Sequence, residues 1–185
     1  MTVGALVLAA GLSRRMGAAK LALPVDGVPM LARTLAAVRE AGLPALLVTG
    51  GHEEAVRAVA GDVPHVHAAD HAEGLAESLK AGLRAAPGAW AGALVVLGDM
   101  PFVQAETLRA LATTLAAGAD AVVPVQDERR GNPAGFARSV WPSLMVLHGD
   151  RGARGLLDGL GAIEVAVDDL GIHRDLDRPE DLAGG

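Results

Sequence analysis

Apolar residues run without interruption through 3–8, and similar short runs return at 45–49, 93–97 and 121–125, with one broken by Glu164 at 163–167 and a weaker one at 65–68. Runs of this length, closed by Gly, Pro or Asp, are what strands buried on both faces of a sheet show. Between them the period changes. In 29–41, Leu31, Leu35 and Val38 fall on one helical stripe that Gly42 and Pro44 stop, and in 73–83 the same spacing recurs at Leu75, Leu79 and Leu83. Segments 53–59 and 106–117 also read as helices. A β-α-β-α-β order with short connections predicts an α/β protein, a mostly parallel sheet covered by helices on both faces. Ligands of such sheets sit outside the carboxyl ends of the strands. No repeat, low-complexity segment or composition break divides the chain, so one domain over residues 1–185 is expected.

Composition narrows the class of partner. Hydrophobic residues make up 51% of the chain, beside 24 glycines and 10 prolines, as in a turn-rich α/β protein. The net charge of -6 argues against nucleic acid or an acidic membrane surface, because such binding draws its affinity from neutralised phosphates. Without cysteine there is no disulfide framework, thiolate metal site or cysteine nucleophile. No signal-peptide pattern or long apolar run is visible, and the expectation is a soluble, cytoplasmic chain.

The candidate chemistry gathers where the first strand ends. Leu8-Ala9-Ala10-Gly11 opens a loop bearing Ser13, Arg14, Arg15, Gly17 and Lys20. The glycines let the backbone approach a ligand and aim its N–H groups, and the cations supply charge for an anion. Only two lysines occur, Lys20 and Lys80, so a compact ammonium stands here in a chain that otherwise uses arginine. This is not a P-loop: five residues separate Gly11 from Gly17, and Leu21 follows Lys20. Nor does a G-x-G-x-x-G follow the first strand.

Two acidic positions fit beside it. Asp99 ends the 93–97 run within Gly98-Asp99-Met100-Pro101, a place suited to a hard cation such as Mg²⁺, which is held by one or two carboxylates plus substrate phosphates. Asp175 and Asp177 share a face on extended backbone, and either serves as the second metal carboxylate. His65, His67 and His71 lack a surrounding ligand pattern and read as ordinary polar residues. Phe136 and Trp141 read as packing residues.

LAAGLSRRMGAAKLALP resembles the signature LAAG-x-S-x-R-M-G-x-x-K-x-L of nucleotidyltransferases with a molybdopterin-guanylyltransferase-like fold, and within them the molybdenum cofactor cytidylyltransferase branch. The resemblance continues in order through EGLAESLKAGL, LGDMP, RGNPAGF, GDRGARGLL and DLDRPEDL. It implies a three-layer Rossmann-like nucleotidyltransferase fold, CTP as donor, molybdopterin as acceptor and Mg²⁺ as cofactor. Transient contact with molybdoenzyme maturation proteins is implied too.

By the same resemblance Leu8, Ala9, Ala10, Gly11, Ser13, Arg14, Arg15, Lys20 and Ser78 bind nucleotide, while Asn132, Pro133, Arg151 and Arg154 lie at the acceptor. Lys20, Arg15 and Asp99 are the candidates for catalysis. The family often has His where this chain has Asn132, which leaves the acceptor open. Guanylyl transfer from GTP, transfer to another phosphorylated small molecule, and a non-catalytic nucleotide sensor stand as alternatives. Lys20 and Asp99, together with the carboxylates of DLDRPED, favour an enzyme.

Overall fold

The computed structural model describes residues 1–11, 19–149 and 153–176. Its strands are β1 (Thr2–Ala9), β2 (Pro24–Val25), β3 (Val28–Pro29), β4 (Ala45–Thr49), β5 (His65–His67), β6 (Trp90–Leu97), β7 (Ala121–Gln126), β8 (Arg129–Arg130), β9 (Ala134–Ala137) and β10 (Ile163–Ala166). The helices are α1 (Met30–Glu40), α2 (Glu53–Ala60), α3 (Leu75–Ala85), α4 (Ala105–Ala116) and α5 (Trp141–Leu144). Among the described residues no helix is long and apolar enough to cross a membrane.

The main sheet runs β10-β7-β9-β6-β1-β4-β5, with β8 pairing β7. β1 pairs in parallel with β4 and β6, β4 with β5, and β7 with β10. Only β8 and β9 run against their neighbours. The uninterrupted apolar character of β1 follows from its central place. Val3, Ala5, Val7 and Ala9 enter one core with Leu31 and Val38 of α1, Val56 of α2 and Leu108 and Leu111 of α4. Leu6 and Leu8 enter the other with Leu79 and Leu83 of α3 and Trp141 and Leu144 of α5. Alternation along one strand thus feeds two faces, and the result is the expected three layers. Phe136 and Trp141 are buried together there, the indole N–H donating to the Phe136 carbonyl at 3.2 Å.

Two segments stand outside the regular strand–helix alternation. The polar stretch 126–136 contains β8 and the return strand β9, inserted between β6 and β7. Ala-Gly-Phe-Ala is too short and too small for a strand signal; pairing on both sides makes it one. Residues 150–152 lie outside the described residues, and the segment that follows them is the 3₁₀ turn Ala153–Leu156.

Candidate active site

β1 and β6 leave the sheet side by side. The Gly98 N–H donates to the Leu8 carbonyl at 2.9 Å, so the turn after β6 lies against the end of β1. The Thr34 hydroxyl of α1 donates to the Gly98 carbonyl at 3.2 Å and holds that turn from below. Onto this edge the 3₁₀ segment Lys20–Ala22 brings Lys20, whose Nζ donates to Asp99 Oδ2 at 2.8 Å. Lys20 is only 7% exposed. A buried ammonium requires an anionic partner, and the Asp99 carboxylate supplies it. The loop lysine and the strand-end aspartate therefore form one site.

The late acidic segment arrives at the same place. The Leu176 N–H donates to the Asp99 carbonyl at 3.2 Å, which sets Asp175 one residue from that contact. Asp175 is exposed, and Asp177 lies outside the described residues. Asp99 and Asp175 offer hard carboxylate oxygens on adjacent backbone, a donor set that fits a small divalent cation completed by waters and nucleotide phosphates. Among the described residues no three His, Asp or Glu side chains form a ready-made cage.

Of the proposed nucleotide-binding residues, Leu8, Ala9 and Ala10 are buried where β1 ends, and Gly11 is exposed. Ser13, Arg14 and Arg15 lie outside the described residues. Ala10 meets the turn after β4: its carbonyl accepts the Gly51 N–H at 3.2 Å. A methyl group on Gly50 would come within 2.8 Å of Ala10 Cβ and 2.6 Å of His71 Cγ, so the three residues interlock. The His71 Nδ1–H donates to the Ala68 carbonyl at 2.8 Å. His67 Nδ1 lies 2.8 Å from Glu53 Oε2, and the Thr49 hydroxyl donates to Glu53 Oε1 at 3.1 Å. The flank of Ala10 is thus a polar cluster built around His67 and His71, two of the histidines whose sequence pattern reads as ordinary polar residues.

Ser78 is 4% exposed on the first turns of α3. That helix start is joined to Gly149, because the Ala76 N–H donates to the Gly149 carbonyl at 3.0 Å. Asn132 is half-buried and Pro133 buried; the Asn132 N–H donates to the Ile172 carbonyl at 2.8 Å. Arg154 is exposed and donates to the Arg130 carbonyl at 2.9 Å. Arg130 in turn donates to Asp158 and Glu164, which in that order hold its guanidinium pKa above the ordinary arginine value. Arg151 lies outside the described residues. The hydrogen bonds described for Asn132 and Arg154 run to the carbonyls of Ile172 and Arg130, not to the Lys20–Asp99 pair.

Sequence reasoning missed Asp169. Its carboxylate is 1% exposed: Oδ2 accepts the Gln104 N–H at 2.9 Å and the Thr107 hydroxyl at 2.7 Å, and Oδ1 accepts the Gly171 N–H at 2.9 Å. From a distant segment it binds the start of α4, satisfying the Gln104 N–H just ahead of the helix and the Thr107 hydroxyl in its first turn. The only local trace was an aspartate two residues before glycine, the pattern of an Asx turn.

A buried lysine thus rests on a strand-end aspartate at the carboxyl edge of a three-layer α/β sheet, the edge at which such sheets bind ligands. The MobA-like NTP transferase domain matches residues 5–165, and the chain belongs to that family. Among curated proteins it is similar to the bifunctional protein GlmU of Xanthomonas campestris pv. campestris (strain B100), 37% identical over 139 residues. That match takes in 72% of this chain and 29% of GlmU, so the chain spans well under half the length of such relatives.

Among solved structures it is similar to Rv0371c from Mycobacterium tuberculosis H37Rv, with a TM-score of 0.86 and 32% identity over 99% of this chain and 97% of that one. Another structure of Rv0371c is a complex with manganese, at TM-score 0.81 and 30% identity over 99% and 96% of the two chains. A nucleotidyl transferase from Methanothermobacter thermautotroptrophicus superposes with a TM-score of 0.81 at 26% identity over 98% and 94%.

Proposed function

We propose that the chain, acting as one domain over residues 1–185, transfers CMP from CTP to the phosphate of molybdopterin and releases pyrophosphate. The observation that carries a transferase reading is the convergence of Lys20, Asp99 and the segment bearing Asp175 on one sheet edge. An acceptor phosphate oxygen attacks the α-phosphorus in line; the new P–O bond forms as the bond to the β-phosphate oxygen breaks, and pyrophosphate leaves with that electron pair. The attacking oxygen is already anionic, so no protein nucleophile or general base is needed.

The chain's contribution is alignment and charge. The backbone at Ala9, Ala10 and Gly11 seats the nucleotide, with Ser13 and Arg14 on its phosphates and Ser78 toward the base or ribose. Lys20 turns from Asp99 to a phosphate oxygen, and with Arg15 it stabilises negative charge as the anhydride bond breaks. Asp99 and one of Asp175 and Asp177 would hold Mg²⁺, which when bound supplies Lewis-acid stabilisation of the phosphates. The manganese complex of Rv0371c, a protein of similar fold and sequence, supports a divalent-metal role here. Asn132, Pro133, Arg151 and Arg154 receive the anionic acceptor.

Asn132, where the resembled family often has His, favours one second reading: transfer to a different phosphorylated small molecule. Pyrophosphate release measured with CTP or GTP, with and without molybdopterin, tests the assignment. CTP- and molybdopterin-dependent release is expected. Release from GTP alone among the two nucleotides replaces cytidylyl by guanylyl transfer. Tight CTP binding without release for any phosphorylated acceptor would leave a nucleotide sensor.

A further inference from the structure

We propose that Phe102 is a positioning residue: its ring, stacked under Arg174, sets the spacing between the Asp99 turn and the segment that carries Asp175. The inference rests on the metal-dependent transferase reading above.

The two segments are joined along their length in opposite directions. Asp169 binds the Gln104 N–H and the Thr107 hydroxyl. Gly171 lies directly on residue 102, where an added Cβ would stand 2.2 Å from the Phe102 carbonyl oxygen. The Arg174 guanidinium stands 4.0 Å from the Phe102 ring centroid. Last, the Leu176 N–H reaches the Asp99 carbonyl at 3.2 Å. Each tie is one step nearer the Lys20–Asp99 pair.

Phe102 also belongs to the small apolar cluster beneath that pair. Val25, Met30 and Leu176 form it, with Leu21 and Phe102 packed against it. Leu21 follows Lys20, Leu176 follows Asp175, and Phe102 lies three residues after Asp99. One cluster therefore seats residues close in sequence to three functional residues. A second guanidinium, Arg33, stands 5.9 Å from the same ring and is itself held by Asp26 at 2.8 Å. A leucine at 102 fills the cluster equally well but offers Arg174 no π face, so the residue before Asp175 loses its stacking partner.

The test uses the intact chain with an α,β-methylene CTP analogue. Mn²⁺ affinity is read by water-proton relaxation, and the solvent exchange of the Leu176 amide is followed without metal. Phe102→Leu is expected to weaken Mn²⁺ binding by roughly threefold to thirtyfold, the range of a partly buried cation–π contact. It should also speed Leu176 exchange, while Phe102→Trp keeps both near wild type. Arg174→Met should reproduce the leucine phenotype and serves as the second variant if Phe102→Leu is poorly folded. Wild-type Mn²⁺ affinity in both folded variants, or a tryptophan variant as weak as the leucine one, would overturn the proposal. A wild type that binds no Mn²⁺ with the analogue would remove the metal reading and the affinity claim with it. Leu176 exchange still decides whether Phe102 holds the segment.

Discussion

Lys20 and Asp99 stand 79 residues apart in the chain and 2.8 Å apart in space, and their contact joins the loop after β1 to the turn after β6. A lysine held this way is neutralised before substrate arrives, and its ammonium is already at the edge where phosphate charge must be stabilised. Removal of either side chain takes from the other charge its partner at 2.8 Å.

Lys20→Ala is therefore expected to lower kcat by roughly a hundredfold or more, the scale seen when one preorganised donor to developing charge is removed. Steady-state kinetics separate the roles: a rise in KM at unchanged kcat would limit Lys20 to ground-state binding.

Asp99→Asn keeps an acceptor for the Lys20 ammonium, so the fold should persist with at most a modest fall in Tm. Turnover should vanish, because an amide does not supply the anionic oxygen that a hard cation requires. Normal activity at ordinary Mg²⁺ would remove Asp99 from the chemistry.

The second carboxylate is decided by comparison. Asp177 is preferred for its place directly before the Arg178-Pro179-Glu180-Asp181 sequence of the resembled ending, whereas the Leu176–Asp99 contact draws attention equally to Asp175. Titrating Mg²⁺ against activity for Asp175→Asn and Asp177→Asn should show a clear difference in the concentration needed. Two variants that match wild type would show that neither side chain binds metal.

How much of this was legible follows from the range of the interactions. The strand after Thr2, the Gly- and cation-bearing loop, and Asp99 at a strand end are written in contiguous residues, and local pattern reveals them. β9 is not, because Ala134–Ala137 is made a strand by its neighbours on either side. Asp169 is invisible for the same reason: Thr107 and Gln104 lie 62 and 65 residues away. The pairing of Phe102 with Arg174 belongs with these, since an aromatic and an arginine so distant in sequence carry no shared signal.

Asp169 should be the costliest of these to lose. Its buried carboxylate accepts two backbone N–H groups and one hydroxyl, and hydrogen bonds to a charged group contribute about 1.5–3 kcal/mol each. Asp169→Ala is expected to lower unfolding free energy by at least about 3 kcal/mol in urea denaturation. A loss below about 1 kcal/mol would mean that water replaces the carboxylate at these donors.

The last expectation concerns the base. In the resembled guanylyltransferases the opening reads LAGG with an acidic residue before the loop lysine, where this chain has Ala10 and Ala19. The Ala10 methyl is not loose at the surface: the residue is 4% exposed and interlocks with Gly50 and His71. It therefore acts by holding the turns after β4 and β5 away from β1, and its removal opens room there. One methyl changes discrimination by only about 1–3 kcal/mol, so CTP should be preferred to GTP by roughly tenfold to two hundredfold, and Ala10→Gly should shrink that ratio. Values of kcat/KM for both nucleotides on wild type and variant test each half: a wild type that favours GTP overturns the cytidylyl assignment, and a ratio unmoved by Ala10→Gly removes the methyl as its cause.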